Sequence, residues 1–464
     1  MDDKKIYFRT MPVTCSIIAI LFSLFLQVPT ASAIPSYARQ TGFPCKSCHY
    51  MPPELTPLGR AFKLNGYTMA GKPTVTSPGK GNTSGLSILE SFPLSVLFDT
   101  SFTNLKSPEP ASQNGSFQFP QQASLFLAGA WATHVGSFVQ VTYTSQGDHF
   151  TWDNSDIRYA NATKLFKKDL AFGITLNNNP TVEDLWNSTP AWGFPWVSSE
   201  WAPGPNAGAI VNGGLAQDVA GLGGYAMWDN HLYLAGTIYR SAHIGVPQPN
   251  TGVDASGNPL SINIRGVAPY WRLAWQQNSK NNNLEVGTYG IHVKSTPGAI
   301  TGLEDGYTDW AFDFQDDLTI PQFRGDVLSF RGTYIRENSS LLATASIPVT
   351  PGAAFVQHHL NTVQANAEYH LGDKYSGTIG YFNVTGTPDP VLFPAGTPVF
   401  GNLNGDPRSA GIIGNISWWP VQNIGLTLQY TGYTRFNGAA TNYDGAGRNA
   451  GSNNTLYLVA RFVF

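Results

Sequence analysis

The chain has 464 residues, of which only 12% are charged and 13% aromatic, with a formal net charge of −3. So few charges argue against an ordinary soluble protein, and a slightly negative mean hydropathy argues against a bundle of membrane helices. The near-neutral balance gives no case for nucleic acid as a partner.

Lys4, Lys5 and Arg9 precede an apolar run, SIIAILFSLFL (16–26), that is too short to span a bilayer with ease. Ala31-Ser32-Ala33 follows as a small-residue cleavage pattern, so residues 1–33 are expected to be an export signal removed after Ala33. A membrane anchor is the other reading. Cys15 lies in the apolar run and leaves with it, which makes Cys45 and Cys48 the remaining pair.

That pair stands in FPCKSCH (43–49). In an oxidising compartment two neighbouring cysteines often form a disulfide. Cys-x-x-Cys-His is also the attachment pattern of c-type haem. Thiols one helical turn apart suit the two vinyl groups, and the adjacent imidazole becomes an axial iron ligand. Cys45 and Cys48 are therefore assigned to one covalently attached haem c and His49 to its iron. Thr56-Pro57 reads as a helix start and Asn65-Gly66 as a stop, with Leu58, Ala61 and Phe62 on one face toward the ring. Arg39, Arg60 and Lys63 are candidates to pair with the propionates. Met69 is a candidate distal iron ligand, because a chain folding back past Gly66 would bring it to the ring; simple packing is the other reading. Met51 is too close to His49, and His370, which shares a predicted lumen face with Glu368 and Asn366, is the runner-up. His358 and His359 fall at a loop end.

Residues 34–85 form this cytochrome segment, ending in a Gly/Ser/Thr/Pro-rich stretch at 73–85. Beyond it, segments of roughly ten residues alternate apolar and polar side chains. Trp271, Leu273 and Trp275 oppose Arg272 and Gln276. Trp310, Phe312 and Phe314 oppose Asp309, Ala311 and Asp313. Leu328, Phe330 and Tyr334 oppose Ser329, Arg331 and Thr333, and Leu456, Leu458, Ala460, Phe462 and Phe464 oppose Tyr457, Val459 and Arg461. The period is that of a transmembrane barrel with lipid outside and a polar lumen; a soluble sandwich explains the aromatic content less well. The stretch 284–294 breaks the pattern near Gly287 and predicts a bulge there.

Tight links near 133–136, 167–169, 229–231, 278–282, 321–325, 372–374 and 420–423 alternate with long loops near 106–116, 145–155, 180–213, 244–260, 296–306, 337–358, 387–407 and 438–453. Seven short and eight long connections join sixteen strands. The expectation is an all-β, 16-stranded antiparallel outer-membrane barrel over 86–464, with the cytochrome segment in or at its lumen, because so short a segment rarely builds a core large enough for a macrocycle. A tethered soluble head is the alternative. Thirteen acids fall on the predicted long loops: Glu109, Asp148, Asp153, Glu183, Asp184, Glu200, Asp254, Glu304, Asp305, Glu337, Asp389, Asp406 and Asp444. An acidic mouth that concentrates cations is one reading, and loops acidic for solubility the other. The 180–213 loop carries Trp186, Trp192, Trp196 and Trp201, and either folds inward over the haem or caps the outside.

IPSYARQTGFPCKSCHYMPPELTPLGRAFKLNGY (34–67) resembles the N-terminus of the fused monohaem cytochrome–porins of iron-oxidising bacteria. The resemblance rests on Pro35, Ala38-Arg39-Gln40-Thr41-Gly42, Cys45, Cys48, His49, Leu55, Gly59-Arg60, Phe62 and Lys63, with Tyr37 where the family usually has Phe. It implies an electron-transfer protein of the bacterial outer membrane that oxidises extracellular Fe(II) and passes the electron to a periplasmic cytochrome. The other functional classes are a diffusion or uptake porin with a structural or sensing haem, and electron export to an external acceptor.

Overall fold

The computed structural model describes residues 36–69, 75–76, 88–89, 93–144, 149–242, 263–296, 302–323, 325–346, 356–395 and 398–464. The expected export signal and most of the 73–85 stretch lie outside the described residues. Three short helices come first: α1 (Ser36–Thr41), α2 (Cys45–Cys48) and α3 (Pro57–Leu64). Thr56 caps α3 as expected, its side chain accepting the Gly59 amide with Pro57 in the first turn.

Sixteen antiparallel strands close on themselves. They are β1 (Leu94–Leu105), β2 (Ser116–Ala132), β3 (Val135–Thr144), β4 (His149–Leu165), β5 (Lys168–Asn177), β6 (Val219–Trp228), β7 (Leu232–Ser241) and β8 (Ala268–Asn278). There follow β9 (Asn282–Ser295), β10 (Asp305–Ile320), β11 (Asp326–Leu341), β12 (Gln357–Leu371), β13 (Tyr375–Gly386), β14 (Ser409–Val421), β15 (Ile424–Arg435) and β16 (Thr455–Val463). Each pairs with its sequence neighbours, and β16 pairs with β1 to complete the ring. All seven expected tight links join strands at one end of the barrel.

Alternation sorts the side chains as expected. On β8, Trp271 is 44% exposed and Arg272 1%; on β10, Phe312 is 55% exposed and Ala311 buried. The outward belt of Trp, Phe, Leu and Ile would be an aggregation surface in water. Against hydrocarbon it is the favourable face, and closure leaves no unpaired edge. An even, closed, antiparallel wall with an apolar outside is the architecture of the bacterial outer membrane, and the chain is a porin-like barrel of that membrane.

Three local expectations fail. Strand pairing runs unbroken through Gly287, with Ala274 on one side and Asp313 on the other, so there is no bulge. The pattern looks broken because the inner wall turns apolar there. Tyr289, Ile291 and Val293 pack with Ile210, Val211 and Leu215 of the 178–218 connection inside the barrel. Gly287 leaves room instead for the Glu285 and Asp313 carboxylates, which an added Cβ would meet at 2.6 and 2.7 Å. The 145–155 loop is also shorter than expected, since β4 begins at His149. The acidic mouth fails for seven of its thirteen acids; Glu109, Asp153, Glu200 and Glu304 are only half-buried, and Asp148 and Asp254 lie outside the described residues. Glu183, Asp184, Asp305, Glu337, Asp389, Asp406 and Asp444 are all buried, most of them bonded to amides or cations of neighbouring chain.

The lumen is filled from within. Residues 36–69 sit at the short-turn end. There the Cys45 amide donates to Gln422 Oε1 at 2.8 Å, and Lys46 pairs with Asp373 at 2.8 Å. The 178–218 connection folds inward beside them, which resolves the direction of the tryptophan-rich loop. Arg158 on β4 joins the three parts. Its guanidinium bonds Asp156 on its own strand at 2.7 Å, the Lys63 carbonyl at 3.1 Å and the Glu183 carbonyl at 3.0 Å. Arg272 meets Asp184, Glu285 and Asp313 at 3.1, 3.3 and 2.7 Å. Buried ion pairs of this kind fix one arrangement, since removing the arginine strands its acids in a low dielectric.

Candidate functional site

The Cys-x-x-Cys-His stretch is shaped by its own backbone. The helical turn of α2 ends as the His49 amide donates to the Cys45 carbonyl at 2.9 Å. His49 is then extended and bridges to Leu55. The Thr56 amide returns to the Cys48 carbonyl at 2.9 Å, and the Thr56 hydroxyl to the Ser47 carbonyl at 2.7 Å. α3 lies so close that a Cβ on Gly59 would stand 2.2 Å from the Cys48 carbonyl oxygen, so glycine is required there.

Cys45, Cys48 and His49 all line one half-open cavity of about 520 Å³, within the size range of cofactor sites. Leu55, Gly59, Phe62 and Lys63 form its floor from the same segment. Trp186, Trp192 and Trp196 come from the inward connection, and Phe126, Phe138, Trp419 and Arg461 from the wall. The inward loop is tied to the segment through Asn187, whose Oδ1 accepts the Leu55 amide at 3.0 Å, while its own amide reaches Gln315 of β10 at 2.8 Å.

The thiols are free, and burial raises the pKa of both; Cys45 adds to the shift of Cys48. Burial lowers His49, against a weaker pull from the Glu54 and Pro53 backbone, so its imidazole is held neutral. Its Nδ1 has no hydrogen-bond partner. Burial, helped by the Arg158 charge, pushes Lys63 down to about 7. Lys63 donates to the Val182 carbonyl at 2.8 Å and lies 4.5 Å over the Trp192 ring. Two free thiols, a neutral imidazole with an unpartnered nitrogen, and aromatic walls fit a covalently held haem. In such a fit Cys45 and Cys48 would hold the ring and His49 would ligate its iron.

The other expected contacts divide. Of Arg39, Arg60 and Lys63, only Lys63 lines the cavity among the described residues. Arg60 forms a buried pair with Asp317, and Arg39 bonds the Leu94 carbonyl. Each cation found a partner on the wall, which sequence spacing could not show. Arg461 of β16 takes a place at the cavity that was not foreseen, held by Asp99 at 2.6 Å. Its inward direction was legible from alternation, but its height in the barrel was not. Met69 does not line the cavity; Gly66 turns the chain with φ +65°, and Tyr67 is anchored to Asp156 at 2.7 Å, leaving Met69 beyond. Met51 is buried behind it, against Pro52, Trp196 and Trp419. His370 also lies outside the cavity, its ring 5.4 Å from that of Tyr50.

No protein-family model matches the sequence, and no curated protein matches it. Among solved structures it is similar to Pseudomonas putida OprB, with 12% identity over 80% of this chain and 93% of that one and a TM-score of 0.48. It is also similar to an anion-selective porin from Comamonas acidovorans, at 11% identity over 80% and 98% with a TM-score of 0.45. The outer-membrane channel DcaP of Acinetobacter baumannii gives 12% identity, 80% and 96% coverage and a TM-score of 0.43. Likenesses this distant carry no argument beyond the strand pairing already described.

Proposed function

We propose that the chain is an outer-membrane c-type cytochrome that takes electrons from an external reduced donor, Fe(II) by the family resemblance, and passes them to a periplasmic cytochrome. One observation carries the reading: both thiols and the histidine of the Cys-x-x-Cys-His motif face a single aromatic-lined cavity inside the barrel. A haem held there supplies a one-electron couple. The chain's own residues do the rest. Cys45 and Cys48 anchor, His49 presents a neutral nitrogen, and Trp186, Trp192 and Trp196 keep the cavity apolar, which holds a charged metal centre away from bulk water. Among the described residues, Lys63 and Arg461 are the basic side chains that line the cavity, Arg461 already paired with Asp99.

Lys46 is exposed beside Cys45 at the short-turn end, the periplasmic end by the usual asymmetry of such barrels. Electrons therefore leave where the motif meets the periplasm. The segments folded into the lumen narrow it, which speaks against a wide diffusion pathway, the rival class.

The test is expression with c-type cytochrome maturation, followed by haem staining after denaturing electrophoresis and anaerobic titration with Fe(II). Covalent haem that Fe(II) reduces, in a barrel of low ion conductance, is expected. A chain that matures without covalent haem overturns the cytochrome reading. Attached haem that Fe(II) leaves oxidised, in a barrel of high conductance, supports the porin with a structural haem.

A further inference from the structure

A second cluster of ligand-type side chains lies between the Cys-x-x-Cys-His segment and the wall. Glu54 comes from the segment, five positions past His49. Glu368 and His370 come from the inner face of β12. All three are buried, and one ligand atom from each lies within 4.8 Å of the others.

The hydrogen bonding there is incomplete in a particular way. Asp317, the nearest other acid, is satisfied by Arg60, by the Ser329 hydroxyl at 2.7 Å and by Gln315 at 3.1 Å. Glu54 and Glu368 share one cation, Arg331, whose Nη1 stands 2.7 Å from Glu54 Oε1 and 3.3 Å from Glu368 Oε2. Two carboxyl groups share one guanidinium, so burial makes it costly for both to ionise unless a further cation joins them. His370 is 2% exposed, and neither of its ring nitrogens makes a hydrogen bond. Its Nε2 faces Glu54 Oε2 at 3.4 Å, the carboxylate oxygen turned away from Arg331.

We propose that Glu54, Glu368 and His370 bind one divalent transition-metal cation, which fastens the motif-bearing segment to β12. Metal–nitrogen and metal–oxygen bonds of about 2.0–2.2 Å place neighbouring ligands roughly 3.0–3.5 Å apart, and the Nε2–Oε2 spacing falls in that range. An imidazole with two carboxylates suits Mn(II), Fe(II) or Zn(II) better than the all-oxygen preference of calcium. Arg331 then holds the outer oxygens of both ligating carboxylates, the usual supporting role beside a first ring of ligands. The two carboxylates and His370 supply these ligands without any help from the haem cavity, so this site goes beyond the function proposed above and does not depend on it.

The full chain in detergent, stripped with EDTA, is titrated with Mn(II) and followed by electron paramagnetic resonance, so that haem iron does not interfere. About one equivalent is expected to bind, and His370→Gln and Glu368→Gln are each expected to weaken it at least tenfold. Heat-modifiable gel mobility reports whether the variants keep a folded barrel. Wild-type protein gives the second readout: Mn(II) should slow proteolysis within 36–69 several-fold relative to the stripped protein. Failure of the wild type to bind Mn(II) overturns the proposal, as does equal binding by folded variants or identical digestion with and without the ion. Haem staining is scored separately on the same samples and decides only the cytochrome reading.

Discussion

The two sides of the lumen are made from the same alternating strands and behave differently. Along β8–β11 the inner wall is packed solid: Arg272 and Arg331 engage acids from the wall, the N-terminal segment and the inward connection. Along β1–β3, β14 and β16 the inner wall presents Gln122, Phe126, Gln140, Trp419 and Val463 to a cavity. The difference follows from desolvation. An ionised group must meet its counter-ion to be buried, so the charged side draws the filling segments onto itself. Amides and aromatic rings lose less beside water or an apolar ligand, so the other side can stay open.

Replacing Arg272 should break the packed side most severely. Arg272→Ala strands Asp184, Glu285 and Asp313, at a cost of about 3–5 kcal/mol in urea unfolding. Arg461→Ala on the open side strands only Asp99, and its loss should be clearly smaller. Equal losses would mean that charge matching does not distinguish the two sides.

Lys63 stands between them and gives a pH signature. Its folded pKa of about 7 lies below the usual 10.5, so between those values the unfolded segment binds more protons than the folded one. Stability of the segment without haem should therefore rise with pH across that window, by at most about 1.4 kcal/mol per unit, and be flat below it as far as this group is concerned. Lys63→Met should remove the slope in the pH dependence of proteolytic cleavage.

Trp192→Ala tests the cavity roof. It removes the edge contact to Phe138 at 5.7 Å, the bond to the Val182 carbonyl and the ring under Lys63. About 2 kcal/mol should be lost, with a shifted absorbance of any attached haem. The smallest effect belongs to Lys46→Ala. Its pair with Asp373 is half exposed on both sides, so barrel stability should change by under about 1 kcal/mol, measured the same way.

Much of the molecule could be read along the chain. Trp271 against Arg272, or Leu458 against Tyr457, gives the period of a wall with unlike faces, and each tight link falls where Gly, Asn, Asp or Lys interrupts it. That Cys45, Cys48 and His49 would stand together was equally plain, because their spacing falls within one turn. Gly287 misled for an instructive reason: Ile291 and Val293 face inward onto Ile210 and Val211, so an inner wall can be apolar without any change of register. Among the thirteen acids, position in sequence told nothing of burial, as Glu183, Glu337 and Asp389 show.

Strand period, turn placement and the haem-type motif are local properties, set by how a few consecutive residues meet solvent, lipid or one another. Only the closed fold decides that Arg60 serves Asp317, that Met69 stays away from the cavity while Arg461 joins it, and that Glu54 meets Glu368 and His370 more than three hundred positions along. Those choices depend on the height at which each strand crosses the lumen and on which buried charge finds a counter-ion. Both are fixed by pairing between distant segments, and no window of neighbouring residues contains them.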